Sequence, residues 1–195
     1  ENLRKMLLAM SRDVRVMIIK LCDRLHNMRT GDAWPEQKRR DKARETMEVY
    51  APIANRLGIL NVKEELEDRS LQYLDPIGYD EIRSYLAQNG AAEDFIANIA
   101  DKIKERLAEN GMAGCTIKKR VKSVYGIYRK MYIQNRTFAE IYDVYAVRII
   151  LDTVAECYNA LGVIHDMYHP IPSRFKDYIS TPKPNMYQSL HTTVI

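Results

Sequence analysis

The stretch VYAVRIIL, residues 144–151, is a short and nearly continuous apolar run. Such a run is typical of a strand buried within a sheet. Upstream, CTIKKRVK (115–122) has β-branched residues in rough alternation, and downstream YQSLHTTVI (187–195) also has a strand pattern. Helical patterns separate these strands, over residues 123–133 and 153–167. The order strand, helix, strand, helix, strand predicts a mixed α/β layer.

The first 111 residues, in contrast, predict helices almost throughout. Gly58 is a suitable C-terminal stop for one of them, and Gly111–Gly114 marks the change of texture. The predicted fold class is therefore α+β, with a helical half followed by a mixed α/β half. Helical patterns cover residues 13–29, the chain from about Pro35 to Arg56, and residues 62–74, 78–88 and 92–110.

Charge and tyrosine are concentrated in the second half. The 195 residues carry a formal net charge of +4. Residues 1–111 hold 19 Lys/Arg and 20 Asp/Glu, whereas residues 112–195 hold 11 and 6, with nine of the 13 tyrosines. This asymmetry predicts that the second half faces an anionic ligand.

Several classes of protein are disfavoured by the composition. No run approaches the roughly 18 apolar residues of a membrane span, and the N-terminal residues lack the pattern of a signal peptide. Cys22, Cys115 and Cys157 fit no metal or disulfide spacing. These features predict a cytoplasmic protein with no membrane partner. Because the chain begins inside a helical pattern and ends inside a strand pattern, we expect it to be a piece of a longer protein.

The stretch RFKDYISTPKPNMYQSLHTT, residues 174–193, combines cations, rings and prolines. Cations donate several hydrogen bonds to phosphates, and flat side chains stack on a base. The combination suits a nucleotide with several phosphates, and the alternative is a basic surface loop with a buried tyrosine. The cations are Arg174, Lys176 and Lys183, and the rings are Tyr178, Tyr187 and His191.

Two further segments supply charged candidates. Arg120 and Lys122 precede the predicted helix 123–133, whose N-terminus is a natural anion site; a solvated basic face is the alternative. Asp143 lies at the mouth of the apolar strand and is a candidate Mg²⁺ ligand, with a turn-capping role as the alternative. Arg148 lies within the apolar run and, if it is buried, needs a partner, either Asp143 or a substrate phosphate.

The segment KLCDRLHNMRT, residues 20–30, has three polar side chains at helical spacing. Asp23, Asn27 and Thr30 fall at positions i, i+4 and i+7 and therefore share a face. That face can offer one metal ligand and two hydrogen-bonding groups. An ordinary solvated face is the alternative, and His26 beside Asp23 does not by itself make a metal site.

Taken together, these segments resemble the RelA/SpoT homologue family, the enzymes that make and degrade the alarmone (p)ppGpp. KLCDRLHNMRT resembles the late hydrolase motif, and ARETMEVYAPIANRLGI (43–59) the connecting helix. RVKSVYGIYRKM, IYDVYAVRIIL and PIPSRFKDYISTPKPNMYQSLHTT follow in the order and spacing of the synthetase domain. The resemblance implies three parts: the end of an HD-type hydrolase domain (1–60), a helical linker (61–111) and the start of a nucleotidyltransferase-like synthetase domain (112–195).

The resemblance also implies roles for individual residues. The synthetase would transfer pyrophosphate from ATP to the 3′-hydroxyl of GDP or GTP, with Asp143 holding Mg²⁺ and helping to activate the hydroxyl. In the hydrolase, Asp23 would bind Mn²⁺, while Asn27 and Thr30 would contact the nucleotide. Arg120, Lys122, Arg174 and Lys176 would contact ATP phosphates, Tyr187 would stack on guanine, and Lys183 and His191 would hold the phosphates and surroundings of the acceptor.

Three positions depart from the family pattern. Gly126 replaces a usual serine, Ser173 replaces a usual glycine, and Met186 replaces the glycine before Tyr187. Glycine accepts a positive φ that methionine adopts only at a cost. Met186 therefore predicts altered acceptor binding or a shifted loop. The basic RFKD motif, in turn, resembles that of bifunctional members.

The resemblance leaves three functional hypotheses. The first is a (p)ppGpp synthetase with an adjoining hydrolase, which reaches the ribosome through C-terminal domains. The second is a degenerate relative that binds nucleotide without turnover, and the third is a basic RNA-binding module. Further metal ligands are expected before Glu1 and after Ile195, so the 195-residue chain by itself is expected to be inactive.

Overall fold

The computed structural model describes residues 13–88, 91–184 and 186–195. Packing divides the chain into two units. The helical unit comprises the described residues up to Ala87 together with Ser123–Phe138, and the sheet unit comprises Gln88–Lys122 together with Ala139–Ile195. The predicted domain boundary after residue 60 rests on resemblance, and the one after residue 111 rests also on the change of sequence pattern at Gly111–Gly114; both stay predictions.

The described residues are mostly helical with two small sheets, in agreement with the predicted α+β class. Every helix predicted from the spacing of apolar residues is confirmed. The helices are α1 (Val14–Arg29), α2 (Glu36–Glu45), α3 (Ala51–Arg56), α4 (Leu60–Leu74), α5 (Pro76–Gln88), α6 (Ala91–Glu109), α7 (Val124–Tyr128) and α8 (Val154–Met167). The strands are β1 (Thr116–Val121), β2 (Tyr145–Ile150), β3 (Lys176–Asp177) and β4 (Leu190–His191).

The helix predicted to end near Arg56 runs through a π-helical turn, Thr46–Tyr50, between α2 and α3. Pro52 has no amide hydrogen to continue the i to i−4 pattern, and the wider turn directly precedes it. Gly58 then adopts a φ of +73°, as predicted for a C-terminal stop. The helical core packs α1, α2 and α3 against α4. Its buried residues are Leu21, Met28, Ala43, Tyr50, Ala51, Ala54 and Leu66.

The N-terminus of α7 is capped within the helical unit. The Asp68 carboxylate accepts hydrogen bonds from Tyr125 N at 2.8 Å and Val124 N at 3.3 Å. Ser123 Oγ accepts a third from Gly126 N. The prediction of an anion site at this terminus is therefore wrong, because a carboxylate of the protein already occupies the N–H groups that an anion needs.

We expect Asp68→Ala to lower the free energy of unfolding by about 2 kcal/mol, because two backbone N–H groups lose their acceptor. Asp68→Asn is the matched variant, since its side-chain oxygen still accepts. Urea unfolding of the three proteins at pH 7 measures the difference. An alanine variant as stable as the wild type would contradict the capping role of Asp68.

The same carboxylate gives stability a pH dependence. Burial raises the pKa of Asp68, although the N–H groups of Tyr125 and Val124 oppose this effect. The folded state therefore binds the proton more tightly than the unfolded state, and the contribution of Asp68 to stability falls as pH rises from the unfolded pKa through the folded one. Asp68→Asn removes this contribution, so the two proteins should differ in slope within that pH window.

In the sheet unit, β1 and β2 form an antiparallel pair with Ile117 opposite Ile149. Helices α6 and α8 pack against the face that carries these isoleucines. The core of the unit contains Ile103, Leu107, Met112, Cys115, Ala160 and Ile164.

The prediction that VYAVRIIL is a buried strand is wrong in part. Within β2, half-buried and exposed residues alternate, and Arg148 is exposed. The physical reason is the sheet: helices of the unit cover one face of a two-stranded pair, so alternate residues face away from the core.

The strand predicted over residues 187–195 is also mostly wrong. Leu190–His191 pairs with Lys176–Asp177, and a single bridge joins Pro170 to Val194. Strands β3 and β4 pair at two positions, so each is two residues long.

Two sequence-based exclusions can be compared with the structure. Cys22, Cys115 and Cys157 are all free thiols, of which Cys115 is buried. Within residues 13–88, 91–184 and 186–195, no helix is both long and apolar enough to cross a membrane.

Candidate functional site

The outer face of β1 and β2, opposite the face that packs on α6 and α8, carries positive charge. Lys118 lies opposite Arg148, and Arg120 lies opposite Ala146. Because residues two apart on a strand share a face, the three cations project from the same side. All three are exposed. Like charges directly opposite each other destabilise a sheet, so an anion bound here would relieve the repulsion.

We call residues 174–193 the ribbon. They comprise β3, β4, the connection between these strands and two residues on either side. Lys176 lies opposite His191 in its antiparallel register, and Asp177 lies opposite Leu190. Lys176 and His191 therefore share one side of the ribbon, while Asp177 and Leu190 share the other. The first side joins a cation predicted to contact ATP with a ring predicted to hold the acceptor.

Three rings meet on the ribbon. Tyr178 and His191 have ring centroids 5.3 Å apart, Tyr187 and His191 5.8 Å, and Tyr178 and Tyr187 6.3 Å, all edge to face. The Tyr187 hydroxyl lies 2.9 Å from His191 Nε2. The Lys183 ammonium lies 4.5 Å from the Tyr178 ring centroid and 5.3 Å from that of Tyr187. The predicted acceptor residues Lys183, Tyr187 and His191 are thus brought together.

The electrostatics of this cluster are strongly positive. Desolvation lowers the pKa of His191, and the positive charges of Lys183, Lys176 and Arg148 lower it further. His191 is therefore held neutral at physiological pH, in which state one ring nitrogen accepts and the other donates a hydrogen bond. The charge of Arg148 on the outer face and the charges of Lys176 and Lys183 on the ribbon thus all lower the pKa of His191.

Asp143 forms an ion pair with Lys122, with 2.9 Å between Oδ2 and Nζ. The Asp143 side chain is 51% exposed, which leaves it accessible to a ligand. Mg²⁺ in phosphate-transfer sites takes one or two carboxylates together with substrate phosphates, so Asp143 fits as one such ligand. No cluster of three or more metal-ligating side chains occurs in the described part of the chain.

Arg174 is held by an aromatic ring. Its guanidinium carbon lies 3.9 Å from the ring centroid of Tyr142, a cation–π contact that leaves the N–H groups in the guanidinium plane able to bind phosphate. Sequence reasoning missed Tyr142, because only the tertiary structure places it beside Arg174. It also missed Lys118, although Lys118 precedes Arg120 by two residues and alternation along β1 would have revealed it.

The predicted hydrolase residues lie in the helical unit. Asp23 and Asn27 line a concave pocket of about 410 Å³, together with Lys20, Arg24, Trp34, Lys38, Lys42, Glu45 and Tyr50. Thr30 is not in this lining; it is the C-cap residue that follows α1, and its hydroxyl donates a hydrogen bond to His26 O at 3.0 Å. Arg24 is buried, pairs with Glu45 at 3.0 Å and lies over the Tyr50 ring at 4.1 Å. Two carboxylates line this pocket, and because Glu45 is paired with Arg24 and Lys42, Asp23 is the candidate metal ligand.

Met186 has the backbone conformation that glycine would favour. Its φ is +64°, and the side chain is 80% exposed. The left-handed conformation costs a residue with a Cβ atom about 1 kcal/mol, which is partly offset by the greater entropy that glycine loses on folding. The departure from the family pattern at Met186 therefore places a strained backbone conformation directly beside Tyr187.

We expect Met186→Gly to strengthen GDP binding about two- to five-fold, because relief of this strain stabilises the ribbon. Calorimetric titration of both proteins measures the change. Asn135→Gly is the control, since Asn135 also has a positive φ of 50° but lies in the helical unit. Equal GDP affinity of wild type and Met186→Gly would refute the prediction.

Two family models match the sequence. Residues 1–60 match the HD domain, and residues 119–195 match the region found in RelA/SpoT proteins. A probable guanosine-3′,5′-bis(diphosphate) 3′-pyrophosphohydrolase of Synechocystis sp. is 52% identical, a GTP pyrophosphokinase of Myxococcus xanthus 48%, and a bifunctional (p)ppGpp synthase/hydrolase RelA of Mycobacterium tuberculosis 45%. Each comparison covers 100% of this chain and 26% of the relative.

Fold and site together define an α+β protein with a basic, ring-lined ribbon in its sheet unit. The chain belongs to the RelA/SpoT family, to which both the matched region and the relatives point. It spans about a quarter of the length of these curated relatives. The two matched domain types are consistent with the use of a divalent metal.

Proposed function

We propose that the chain is part of a bifunctional enzyme of (p)ppGpp metabolism. Its sheet unit belongs to a nucleotidyltransferase-like synthetase that transfers pyrophosphate from ATP to the 3′-hydroxyl of GDP or GTP. The helical unit includes the end of an HD-type hydrolase domain that removes this pyrophosphate. The observation that carries the proposal is the cluster of three rings around His191, with the Lys183 ammonium against two of the rings and Lys176 opposite His191 in the strand register.

The proposed synthetase roles follow from the geometry and the family resemblance together. Arg120, Lys122, Arg174 and Lys176 bind ATP phosphates through charge-assisted hydrogen bonds. Tyr187 stacks on guanine, and Lys183 and His191 hold the acceptor. Asp143 is one carboxylate ligand for Mg²⁺, which when bound neutralises phosphate charge. Because Lys122 also pairs with Asp143, it connects the residues proposed to bind ATP phosphates with the proposed Mg²⁺ ligand.

The proposed hydrolase roles concern the pocket of the helical unit. Asp23 is one ligand for Mn²⁺, and Asn27 contacts the nucleotide from the same pocket. Thr30 contributes from the end of α1. We further propose a cytoplasmic enzyme that associates with the ribosome through other parts of the protein, a prediction that rests on the family resemblance alone.

The proposal is tested by calorimetric titration of GDP, and of a non-hydrolysable ATP analogue, into the 195-residue chain with Mg²⁺. Saturable binding of both nucleotides is expected. Steeply salt-dependent binding of RNA with no binding of either nucleotide would favour the RNA-binding alternative. ATP labelled in its γ-phosphate, added with GDP, separates turnover from binding alone and so tests the degenerate alternative in the full-length enzyme.

A further inference from the structure

Helix α8 presents to the ribbon two polar side chains that the proposed roles do not use. The Tyr158 hydroxyl donates a hydrogen bond to Asp177 Oδ2 at 2.8 Å. His165 Nε2 lies 2.9 Å from the Thr192 hydroxyl. Because positions 158 and 165 are seven residues apart, about two turns, they share one face of α8. A single helix face thus holds the ribbon at both β3 and the end of β4.

Asp177 is fixed at both carboxylate oxygens. Oδ1 accepts hydrogen bonds from Ile179 N at 2.9 Å and Ser180 N at 2.8 Å, and Oδ2 accepts from Tyr158. The hydrogen bond from the Ser180 N–H is the largest of the causes that lower the pKa of Asp177, to which Tyr158 also contributes. Asp177 therefore joins α8 to the turn that follows β3, on the way to Lys183.

The alternation along the ribbon separates anchoring side chains from those of the candidate site. Phe175 lies edge-on to the His165 ring, with centroids 6.4 Å apart, and Asp177 bonds Tyr158. Lys176, between them, lies opposite His191. In the RFKD motif, the phenylalanine and aspartate thus contact α8, while the intervening lysine belongs to the nucleotide side.

We propose that Tyr158 and His165 are positioning residues that hold the ribbon in its nucleotide-binding geometry. Tyr158 acts through Asp177 on the neighbouring Lys176 and Tyr178. His165 acts through Thr192 on the neighbouring His191. Neither side chain contacts nucleotide in this arrangement, and the inference rests on the proposed function of the ribbon.

The test compares Tyr158→Phe and His165→Leu with the wild-type 195-residue chain. Each variant removes a hydrogen bond to the ribbon while leaving a side chain of similar bulk. Tyr168→Phe is the matched control, because Tyr168 caps the C-terminal end of the same helix. His165→Gln is the rescue variant, since its amide can replace the ring nitrogen that meets Thr192. The measurements are calorimetric affinities for GDP and the ATP analogue, amide hydrogen exchange without nucleotide, and the thermal midpoint.

We expect Tyr158→Phe and His165→Leu each to weaken GDP binding about three- to ten-fold, the effect of one hydrogen bond. Hydrogen exchange should accelerate within the ribbon, near residues 177–180 for Tyr158→Phe and near residues 190–193 for His165→Leu. His165→Leu should weaken GDP binding more than binding of the ATP analogue, because it acts beside His191. His165→Gln should restore GDP affinity, and Tyr168→Phe should change neither affinity nor exchange.

Three outcomes would overturn the inference. If the wild type binds GDP and both variants bind it equally well, this inference is overturned and the proposed function is not. For His165→Leu, a drop in thermal midpoint with equal loss of both nucleotides would indicate a merely structural role. A wild-type chain that binds no nucleotide would overturn the proposed function, and this inference with it.

Discussion

Tyr187→Ala is expected to weaken GDP binding by about 5- to 150-fold, because stacking of a base on an aromatic ring contributes about 1–3 kcal/mol. The loss should be larger for the acceptor than for the ATP analogue, since the residues predicted to bind ATP are cations and Tyr187 is assigned to guanine. Calorimetric titration of GDP and of the ATP analogue with Mg²⁺ measures both affinities.

Tyr187→Phe separates the ring from its hydroxyl. The phenylalanine keeps the stacking surface but loses the contact with His191 Nε2, so we expect it to retain most of the GDP affinity. An alanine variant that binds GDP as well as the wild type would remove guanine stacking from Tyr187. A phenylalanine variant as weak as alanine would instead place the main contribution in the hydroxyl.

Arg174→Ala is expected to weaken binding of the ATP analogue by about 10- to 150-fold, because hydrogen bonds between charged groups contribute about 1.5–3 kcal/mol. Affinity for GDP should change much less, since Arg174 is assigned to the other substrate. The same titrations measure this variant, and a loss that is equal for both nucleotides would contradict the assignment.

Two control variants dissect the Arg174 contact. Arg174→Lys keeps the charge but not the planar fork that binds phosphate in a bidentate way, so an intermediate affinity is expected. Tyr142→Phe keeps the aromatic face that lies 3.9 Å from Arg174, so ATP affinity should be nearly unchanged. A large loss in Tyr142→Phe would mean that the Tyr142 hydroxyl, and not its ring, serves the site.

Much of the secondary structure could be predicted, because it depends on local spacing. The three- and four-residue repeat in α1 and the stop at Gly58 are properties of neighbouring residues. Strand β2 was also predicted, yet its burial was not. An apolar run favours a strand but does not say how many faces of the sheet are covered.

The candidate site was predictable as a set of residue types and not as an arrangement. Cations and rings within residues 174–193 indicated a polyphosphate ligand, and the structure groups Lys183, Tyr187 and His191. The roles of these residues stay predictions. Tyr142 and Lys118 were missed, the first because its partner Arg174 lies 32 residues away along the chain.

The sequence by itself determined the helices, the positions of β1 and β2, the family and the basic character of the second half, because these depend on composition, motifs and short-range periodicity. Tertiary structure alone decided the capping of α7 by Asp68, which lies 57 residues from Tyr125, and the pairing of Lys122 with Asp143, 21 residues apart. It likewise decided that the Tyr158 hydroxyl donates a hydrogen bond to Asp177, 19 residues away. Such contacts form only when packing brings distant segments together, and no local pattern specifies which segments will meet.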